Sequence, residues 1–362
     1  MLYHLLYPLT DLFFGFNVFR YITFRAAMAS ITAFLVSLLI GPAITRFLHR
    51  LDMKQTIERE GFQKLYAAHE GKQRIPTMGG LLILGALVSS TLLWADLTNR
   101  YVWLAVVTVL WLGFVGLVDD YLKLSKKNSK GLTAANKFTG QMVLGLGMGA
   151  FLYFDSAAWS MISVPFLKDT FIVLGPLYIL FVAVVLVGTS NAVNLTDGLD
   201  GLAIGCTAMV AVTYGIFSYV SGNVKFSEYL QVPFVSGAGE LAVFCAALFG
   251  AGLGFLWFNS HPASVFMGDV GSLSIGGALG IVAIVTRKEL LLLLVGGVFV
   301  AEAVSVILQV GSYKLRKKRI FLMAPLHHHF QLTGLPESKV VIRFWVVSFI
   351  LALAGLSALK LQ

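Results

Sequence analysis

Acidic residues lie next to long apolar segments of this chain, at positions where a carboxylate needs a partner. Asp119 and Asp120 follow the apolar run 101–118, and Asp269 comes just before the apolar run 271–286. Neighbouring carboxylates repel each other and the carboxyl end of a helix disfavours them, so a compensating cation is expected beside Asp119. Asp269 begins a predicted helix, whose dipole keeps it ionised and available to Mg²⁺. The alternatives are an exposed acidic helix end and a simple N-cap aspartate.

A polar loop between two apolar segments carries a second group of candidate ligands. Asn191, Asn194 and Asp197 are three residues apart, so a helical end would align them on one face. Asp197 and Asp200 are each followed by glycine, which permits a left-handed turn or a close approach of the backbone to a ligand. The spacing is not that of an EF-hand. The loop is therefore predicted to bind a ligand, with an ordinary polar turn as the alternative.

Lysines near these motifs can supply positive charge. Lys123 and Lys137 follow the acidic pair in the same basic segment, and either of them, or a metal ion, can compensate the acids. Lys72 precedes a proline that can begin a helix, so this segment is a weak candidate for anion binding.

Three consecutive histidines lie in the last basic segment, at His327, His328 and His329. Such a run can indicate a zinc site. Consecutive side chains diverge, however, so convergence on one metal ion is difficult. Hydrogen bonds to a phosphorylated substrate are at least as consistent with the pattern, and a solvated loop is the alternative.

The elements that must position these residues are membrane-spanning helices. The chain is 57% hydrophobic and 12% charged, with a mean hydropathy of +0.83, whereas soluble domains carry about 25% charged residues. We predict an all-α polytopic membrane protein with a single transmembrane domain over 1–362. Apolar runs of about 17–25 residues mark membrane spans. About ten are predicted, at 22–45, 77–95, 101–118, 138–154, 171–190, 201–220, 240–258, 271–286, 290–310 and 343–360.

The distribution of lysine and arginine predicts the orientation of these spans. Cations concentrate in the segments 46–76, 119–137 and 311–343, which ten spans place on one side. By the positive-inside rule this side is cytoplasmic, and both termini are then periplasmic. The loops 191–200 and 259–270 lie on the same side without any lysine or arginine. Acids, amides and cations thus meet at one membrane face, a combination that favours Mg²⁺-dependent phosphoryl transfer between a water-soluble and a lipid-borne substrate.

Several motifs together resemble the phospho-N-acetylmuramoyl-pentapeptide transferase family, within the polyprenyl-phosphate N-acetylhexosamine-1-phosphate transferase superfamily. The resemblance covers essentially the whole chain. It is carried by Pro76-Thr77-Met78-Gly79-Gly80, Val118-Asp119-Asp120, the segment 191–201, Phe266-Met267-Gly268-Asp269 and the segment 323–329. It implies that undecaprenyl phosphate attacks the sugar-linked phosphorus of UDP-N-acetylmuramoyl-pentapeptide. UMP then leaves and lipid I forms, the first membrane step of peptidoglycan synthesis.

The resemblance also implies roles for individual residues. The implied catalytic residues are Asp119, Asp120, Asp269, His327 and His328, with Asp269, Asp119 and Asp120 as the Mg²⁺ site. The implied nucleotide pocket comprises Asn194, Asp197, Gly198, Asp200, Asn259 and Phe266, with Phe266 stacked on uracil. Lys72 and Lys137 would meet phosphates, and the substrate-binding set also includes Thr77, Asn191, Leu195, Gln309 and His329. A homodimer in the bacterial cytoplasmic membrane, surrounded by membrane lipids and without a nucleic-acid partner, is expected.

Three other functions are each consistent with part of the sequence or its composition. A sibling enzyme that transfers N-acetylglucosamine-1-phosphate would share the acidic motifs, but the segments 76–80 and 323–329 favour the muramoyl-pentapeptide substrate. A transporter would be consistent with Glu240 and Glu302 inside apolar runs, yet transporters place polar groups near the bilayer midplane. A purely structural scaffold explains none of the acidic loops. For the enzyme, direct in-line attack is preferred over a covalent aspartyl-phosphate route.

Overall fold

The computed structural model describes residues 1–50, 75–125, 131–167 and 170–360, which form a helical bundle. The helices are α1 (Leu2–Leu6), α2 (Ile22–Arg50), α3 (Gly80–Trp94), α4 (Arg100–Ser125), α5 (Ala134–Asp155), α6 (Leu177–Thr196), α7 (Leu202–Ser221), α8 (Val224–Leu230), α9 (Leu241–Asn259), α10 (Gly268–Val285), α11 (Leu292–Val295), α12 (Gly297–Arg316), α13 (Leu326–Leu332) and α14 (Glu337–Ser357). Short 3₁₀ helices cover Tyr7–Leu9, Phe14–Arg20, Ala157–Ser160 and Ala238–Glu240.

Many of these helices are long and apolar enough to cross a membrane. Among the described residues there are eight of them: α2, α4, α6, α7, α9 with the 3₁₀ turn before it, α10, α12 and α14. The prediction of a helical, multi-pass membrane protein is therefore confirmed. Helix α3 has only 15 residues, and neither α3 nor α5 is among the eight. The count of about ten spans stays a prediction.

A two-stranded antiparallel sheet departs from the all-α prediction. Strand β1 (Met161–Ser163) pairs with β2 (Phe171–Val173). The predicted span 171–190 therefore begins too early, because its first residues belong to β2 and the helix starts only at Leu177. Gly175, with a φ of +53°, and Pro176 separate the strand from the helix. Glycine tolerates this left-handed backbone and proline suits the beginning of a helix.

The predicted boundary between the eighth and ninth spans is also displaced. Helix α10 ends at Val285, and the long helix α12 begins at Gly297 instead of near residue 290. The short helix α11 lies in the connection. The charged residues Lys288 and Glu289 are buried in this connection. Tertiary contacts bury them, including a bond from the Tyr214 hydroxyl to Lys288 O at 2.9 Å.

An ion pair fixes one end of the bundle, which we call the terminal end. Arg25, in the first turn of α2, donates to both carboxylate oxygens of Glu240 at 2.6 Å, and it donates to Trp94 O at 3.3 Å. Asp96 N–H also donates to Glu240 at 3.0 Å. Glu240 is thus saturated at a helix end, so it does not resemble the unpaired midplane acid that would indicate a transport path.

The first residue of the chain and the end of the described C-terminal segment, Lys360, lie at this terminal end. The amino group of Met1 donates to Leu92 O at 2.8 Å, close to the end of α3. Near the other terminus, Lys360 Nζ lies 4.0 Å from the centre of the Tyr229 ring, in α8. Helix α4 starts at the terminal end and carries its acids to the opposite end of the bundle, which we call the acidic end.

Candidate active site

Two loops pair through their backbones and form one wall of the site. Phe266 N–H donates to Pro76 O at 2.9 Å, and Gly79 N–H donates to Phe266 O at 2.8 Å. The next bond joins Gly80 N–H to Met267 O at 2.8 Å. These bonds hold the start of α3 against the start of α10, so both helices deliver residues to the same place.

Close packing brings Thr77 beside the acids. Gly268 has a φ of +71°, a conformation that favours glycine. A Cβ at this position would lie 2.6 Å from Asp120 Oδ2 and 2.9 Å from Thr77 Oγ1. Because both distances are too short for a real contact, only glycine fits between Thr77 and Asp120.

Three carboxylates meet at the acidic end. Asp119 and Asp120 lie near the end of α4, and Asp269 is the second residue of α10. Their exposed fractions are 2%, 4% and 9%, and one ligand atom from each lies within 4.8 Å of the others. Residues 150 positions apart in sequence therefore form a single acidic cluster, a group that could hold a metal ion.

Lys123 contacts every member of this cluster. Its Nζ lies 2.6 Å from Asp119 Oδ2, 2.9 Å from Asp269 Oδ2 and 3.6 Å from Asp120 Oδ1. One helical turn separates Lys123 from the acidic pair, which places it on the same face of α4. This is the compensating cation that the adjacent acids required.

Asp269 receives additional donors from two other helices. Helix α5 begins after Thr133, whose hydroxyl caps it, and Lys137 in its first turn reaches Asp269 Oδ2 at 2.8 Å. Asn194 in α6 donates from Nδ2 to Asp269 Oδ1 at 2.7 Å and to Ser272 Oγ at 2.8 Å. Both carboxylate oxygens of Asp269 are thus held by charged or amide donors, which favours its ionised form.

Backbone groups fix the other two acids. Leu132 N–H donates to Asp119 Oδ1 at 2.7 Å, and Val270 N–H donates to Asp120 Oδ2 at 3.2 Å. The second bond comes from the first turn of α10, where helix N–H groups lack partners within the helix. Each carboxylate is therefore oriented before any ligand binds.

A buried glutamine links the helices that supply Lys137 and Asn194. Gln141, 1% exposed, donates to Ser190 Oγ at 3.2 Å and accepts from Asn191 Nδ2 at 2.9 Å. Gln141 lies one turn after Lys137, and Asn191 lies one turn before Asn194. The bridge therefore sets how α5 and α6 present their donors to Asp269. Asn191, predicted to bind substrate, has its amide nitrogen directed into this bridge.

Glycine allows α4 and α10 to approach closely. A Cβ on Gly116 would lie 2.3 Å from the carbonyl oxygen of Asp269 and 2.6 Å from Val270 N. Backbone cannot yield as a flexible side chain can, so any larger residue must separate the two helices. The acidic cluster depends on this contact because its members lie on both helices.

Gly116→Ala is therefore expected to destabilise the protein by about 1–3 kcal/mol through overpacking and to reduce activity by separating Asp119 from Asp269. The measurement is the thermal unfolding midpoint together with turnover of the purified variant. Gly147→Ala is the control, because a Cβ at Gly147 meets no atom within 4 Å. If Gly116→Ala and Gly147→Ala had the same thermal unfolding midpoint and the same turnover, the close contact between α4 and α10 would not have the role described.

The turn after α6 carries a carboxyl group close to the acidic cluster. Burial, together with the negative charges of Asp269, Asp120 and Asp200, raises the pKa of Asp197 to about 8. At neutral pH the Asp197 carboxyl is then mostly protonated and can donate a hydrogen bond. Because Asp269 and Asp120 contribute to the shift, a cation bound at the cluster would lower the pKa of Asp197 again.

By linkage, a divalent cation such as Mg²⁺ is expected to bind more tightly as the pH rises towards about 8, and its affinity should level off above this pH, where Asp197 is ionised with or without the cation. A mutual shift of one pKa unit corresponds to about 1.4 kcal/mol, or tenfold in affinity. The check is a Mg²⁺ titration of thermal stability at several pH values. Asp197→Asn should show a weaker pH dependence, and an unchanged dependence in that variant would refute the assignment.

A second group of polar residues joins the loop after α6 to the loop after α9. Asp200, 3% exposed, accepts from Ala263 N–H at 3.1 Å, and its Oδ2 lies 3.1 Å from His261 Nδ1. Asp200 N–H donates to Glu337 Oε1 at 2.9 Å, at the start of α14. Asp200, predicted to contact the nucleotide, thus also ties three segments together.

Asn259 connects the same two loops. Gly201 N–H donates to Asn259 Oδ1 at 3.0 Å, and Asn259 Nδ2 donates to Val265 O at 2.8 Å. The side chain is 3% exposed. Its visible contacts are therefore with the backbone of the protein, whereas a nucleotide contact was predicted.

The histidine segment folds into α13 and divides its three histidines among different surroundings. His327 is fully buried against Glu302 and Gly198, whereas His328 Nδ1 lies 2.9 Å from Gln331 Oε1. His329 Nδ1 accepts from Leu322 N–H at 3.2 Å. The three rings thus have different neighbours.

Gln309 in α12 organises the loop that leads to this segment. Its Oε1 accepts from Ile320 and Phe321 N–H groups at 3.0 Å, and its Nε2 donates to Phe321 O at 2.9 Å. The amide is therefore engaged with the loop backbone in the described structure.

The chain is similar to known proteins over its whole length. A family model described as glycosyl transferase family 4 matches residues 102–287, the segment that contains all three acids. Curated proteins named phospho-N-acetylmuramoyl-pentapeptide-transferase match over 100% of both chains. They include those of Citrifermentans bemidjiense at 55% identity, and of Geobacter sp. and Pelobacter propionicus at 54% each. The chain belongs to the phospho-N-acetylmuramoyl-pentapeptide-transferase family. The family resemblance drawn from its motifs is thereby confirmed.

In this member of the phospho-N-acetylmuramoyl-pentapeptide-transferase family, the predicted site residues fall into connected groups. Direct contacts join Asp119, Asp120, Asp269, Lys137 and Asn194, with Thr77 beside them. A second group comprises Gly198 and His327, and a third comprises Gln309 and His329. Phe266 and Leu195 are half-buried next to these groups. Lys72 lies outside the described residues.

Several contacting residues were missing from the predicted site. Lys123 was named only as a possible counter-charge, although its spacing from Asp119 on one helix face was a usable signal. Gln141 and Glu337 carried no signal, because their partners are remote in sequence. Glu302 stood out only as an acid within an apolar run.

The donor chemistry of the acidic cluster fits a hard divalent cation. Its ligand atoms are carboxylate oxygens, which Mg²⁺ prefers, and within the described residues two ammonium groups, of Lys123 and Lys137, contact the three acids. With all five groups ionised, the cluster keeps one net negative charge. Asp269, Asp119 and Asp120 are the residues that can hold such an ion.

Proposed function

We propose that this protein transfers phospho-N-acetylmuramoyl-pentapeptide from UDP-N-acetylmuramoyl-pentapeptide to undecaprenyl phosphate, giving lipid I and UMP. The relatives that match the whole chain carry the name of this transferase. The observation that carries the proposal is the cluster of Asp119, Asp120 and Asp269 with two lysines at one end of a membrane bundle. Such a place can be reached both from water and from the lipid phase.

The reaction exchanges one phosphoanhydride for another. An oxygen of the lipid phosphate forms a bond to the sugar-linked phosphorus, and the bond from that phosphorus to the bridging oxygen of UMP breaks. Lys123 and Lys137 face the position where phosphate charge gathers, and Thr77 is adjacent. Phosphoryl transfer needs positioning and charge neutralisation more than covalent chemistry by the protein, and this site offers both.

Mg²⁺ is the proposed cofactor, with Asp269 as its main ligand and Asp119 and Asp120 beside it. When bound, the ion neutralises phosphate charge. Asp119 or Asp120 then orients the lipid phosphate or accepts its proton, because both carboxylates are held in place by Lys123 and by backbone N–H groups.

The nucleotide is proposed to bind beside the acidic cluster, along the Asp197–Asp200 turn. Burial of Asp200 and the protonated state of Asp197 at neutral pH favour hydrogen bonds to neutral groups such as a base or ribose. Phe266 is half-buried and remains the proposed stacking partner for uracil. The remaining proposed substrate contacts are Lys72, Asn191, Asn194, Leu195, Gly198, Asn259, Gln309, His328 and His329.

The protein is proposed to lie in the bacterial cytoplasmic membrane with the acidic end facing the cytoplasm. The lysines and arginines of the described basic segments follow this end, as the positive-inside rule requires. Met1 and Lys360 lie at the other end, so both termini would be periplasmic. We also propose one transmembrane domain with about ten spans, in which α3 and α5 cross the membrane together with the eight helices named above. The protein is proposed to assemble as a homodimer.

The decisive experiment uses the full-length protein in liposomes that contain undecaprenyl phosphate. UDP-N-acetylmuramoyl-pentapeptide with Mg²⁺ should give equimolar lipid I and UMP, and chelation by EDTA should stop the reaction. UDP-N-acetylglucosamine is the competing donor. If the protein used UDP-N-acetylglucosamine in preference, it would be the sibling enzyme that transfers N-acetylglucosamine-1-phosphate. If it moved solutes across the liposome membrane without any nucleotide sugar, it would be a transporter.

Direct in-line attack is the proposed route. It predicts that labelled UMP does not exchange into UDP-N-acetylmuramoyl-pentapeptide unless lipid phosphate is present. A covalent aspartyl-phosphate on Asp119 or Asp120 would permit this exchange without the lipid. Exchange in lipid-free detergent would therefore overturn direct attack while leaving the transferase activity intact.

A further inference from the structure

Glu302 is a fully buried acid that the proposed chemistry does not use. It lies in the second turn of α12 with 0% of its surface exposed. An ionisable side chain within a membrane-spanning helix is expensive to bury and therefore usually has a functional reason. The contacts of Glu302 indicate what this reason is.

The Glu302 carboxylate holds the beginning of α13. Its Oε1 accepts the backbone N–H of His327 at 3.2 Å and lies 3.3 Å from the ring nitrogen Nδ1 of the same residue. His327 is the second residue of α13, where helix N–H groups lack partners within the helix. Glu302 thus acts as a remote N-cap through its hydrogen bond to the His327 backbone, and its carboxylate also lies within ion-pair distance of the His327 ring.

The opposite edge of this ring presses on the turn after α6. A Cβ on Gly198 would lie only 2.2 Å from His327 Nε2, so the imidazole lies directly against the backbone of that turn. The ring also packs on His328, with the ring centres 4.2 Å apart. His327 is itself 0% exposed. It is therefore held between Glu302 on one side and the Asp197–Gly198 turn on the other.

We propose that Glu302 is a positioning residue that acts through His327 to set the Asp197–Gly198 turn, and thereby the affinity for the nucleotide sugar. The inference rests on the proposed function, because it takes this turn as part of the nucleotide pocket. His327 then serves the reaction by supporting the turn. Of the two adjacent histidines, His328 is the one that faces the substrate.

The positions of Glu302 and His327 predict that their disturbance changes the KM for the nucleotide sugar selectively. Within the described residues, no hydrogen bond or ion pair joins Glu302 or His327 to Asp119, Asp120 or Asp269, so Mg²⁺ binding should be preserved when Glu302 and His327 are disturbed. Glu302→Gln keeps the shape and an acceptor for the His327 N–H but removes the charge. The KM for the nucleotide sugar is expected to rise about tenfold, while kcat and the Mg²⁺ midpoint change less than about twofold.

A double-mutant cycle tests whether Glu302 acts through His327. His327→Asn retains a polar atom near the Nδ1 position but loses the edge that touches Gly198. If the two residues form one unit, the variant with both changes should have the same KM as His327→Asn alone. Additive increases in KM would show that Glu302 acts independently, and would overturn the proposal.

Ser305→Ala is the matched control. Ser305 is 2% exposed, lies on the same helix, and donates to Glu302 O at 2.7 Å without touching His327. The Ser305→Ala variant should have a lower thermal unfolding midpoint and an unchanged KM. If Glu302→Gln also lowered the thermal midpoint and left KM unchanged, Glu302 would have a purely structural role and the inference would be overturned.

Failure of the two proposals can be told apart. No lipid I from the wild-type protein would contradict the proposed function, whereas wild-type turnover with an unchanged KM in Glu302→Gln would overturn the positioning role alone. If Glu302→Gln does not fold, Gly198→Ala disturbs the same contact from the other side. It should raise KM with little change in the Mg²⁺ midpoint, and an unchanged KM would again overturn the inference.

Discussion

Asp269→Asn is expected to reduce lipid I synthesis by at least about 10³-fold, equivalent to about 4 kcal/mol of transition-state stabilisation. The substitution removes the charge of the carboxylate on which Lys123, Lys137 and Asn194 converge. It also replaces one carboxylate oxygen by an N–H₂ group, which must face either the two ammonium groups or the amide N–H₂ of Asn194, all of them donors. The measurement is the initial rate of lipid I formation by the purified protein at saturating Mg²⁺.

The control for this prediction is an acid at the other end of the bundle. Asp155→Asn breaks an ion pair with Arg100, which is half exposed at the terminal end. Such pairs contribute about 0–1 kcal/mol, so activity should remain near the wild-type value. Folding of both variants is checked by their thermal unfolding. Near-normal lipid I synthesis by folded Asp269→Asn would rule out Asp269 as the principal metal ligand.

Lys123→Met is expected to lower kcat about 10²-fold, because it removes the only cation seen to contact all three acids within the described residues. Methionine has a similar length and flexibility without the charge. The same change should strengthen Mg²⁺ binding, since the cluster becomes more negative and loses a like-charged neighbour of the ion. A lower kcat together with a higher affinity for Mg²⁺ is the result that identifies this role of Lys123.

Both quantities can be measured on one preparation. The Mg²⁺ concentration that gives half of the thermal stabilisation should fall for Lys123→Met, while turnover at saturating Mg²⁺ also falls. Lys225→Met is the matched control, because Lys225 is exposed at the terminal end and far from the acids. A Mg²⁺ midpoint that stays at the wild-type value would mean that Lys123 does not compete with the metal for the cluster.

Much of the acidic cluster was predictable from local sequence. Asp119 and Asp120 end an apolar run, Asp269 begins one, and the direction of the spans places these ends on one side. Lys137 and Asn194 were also predicted. Their partner was not, because the bonds to the two oxygens of Asp269 depend on how α5, α6 and α10 pack.

Other predicted residues have contacts that the sequence does not reveal. Asn259 and Gln309 bind loop backbone, and Asn191 bonds to Gln141. A polar side chain in a polar loop has the same sequence signature whether it binds a ligand or secures the loop. Only the position of its hydrogen-bonding atoms separates these possibilities.

The amino-acid sequence by itself determined that this is a helical membrane protein with its acids, amides and cations gathered at one face. Hydropathy, charge and motif spacing are properties of contiguous residues, so they can be read without coordinates. Tertiary structure decided that Lys123 lies among three acids, that α3 and α10 join through their first turns, and that Glu302 reaches His327. These contacts join segments far apart in the chain, and two of them depend on close approaches at glycine: Gly116 lets α4 meet the backbone of α10, and Gly198 lets the turn after α6 meet the His327 ring.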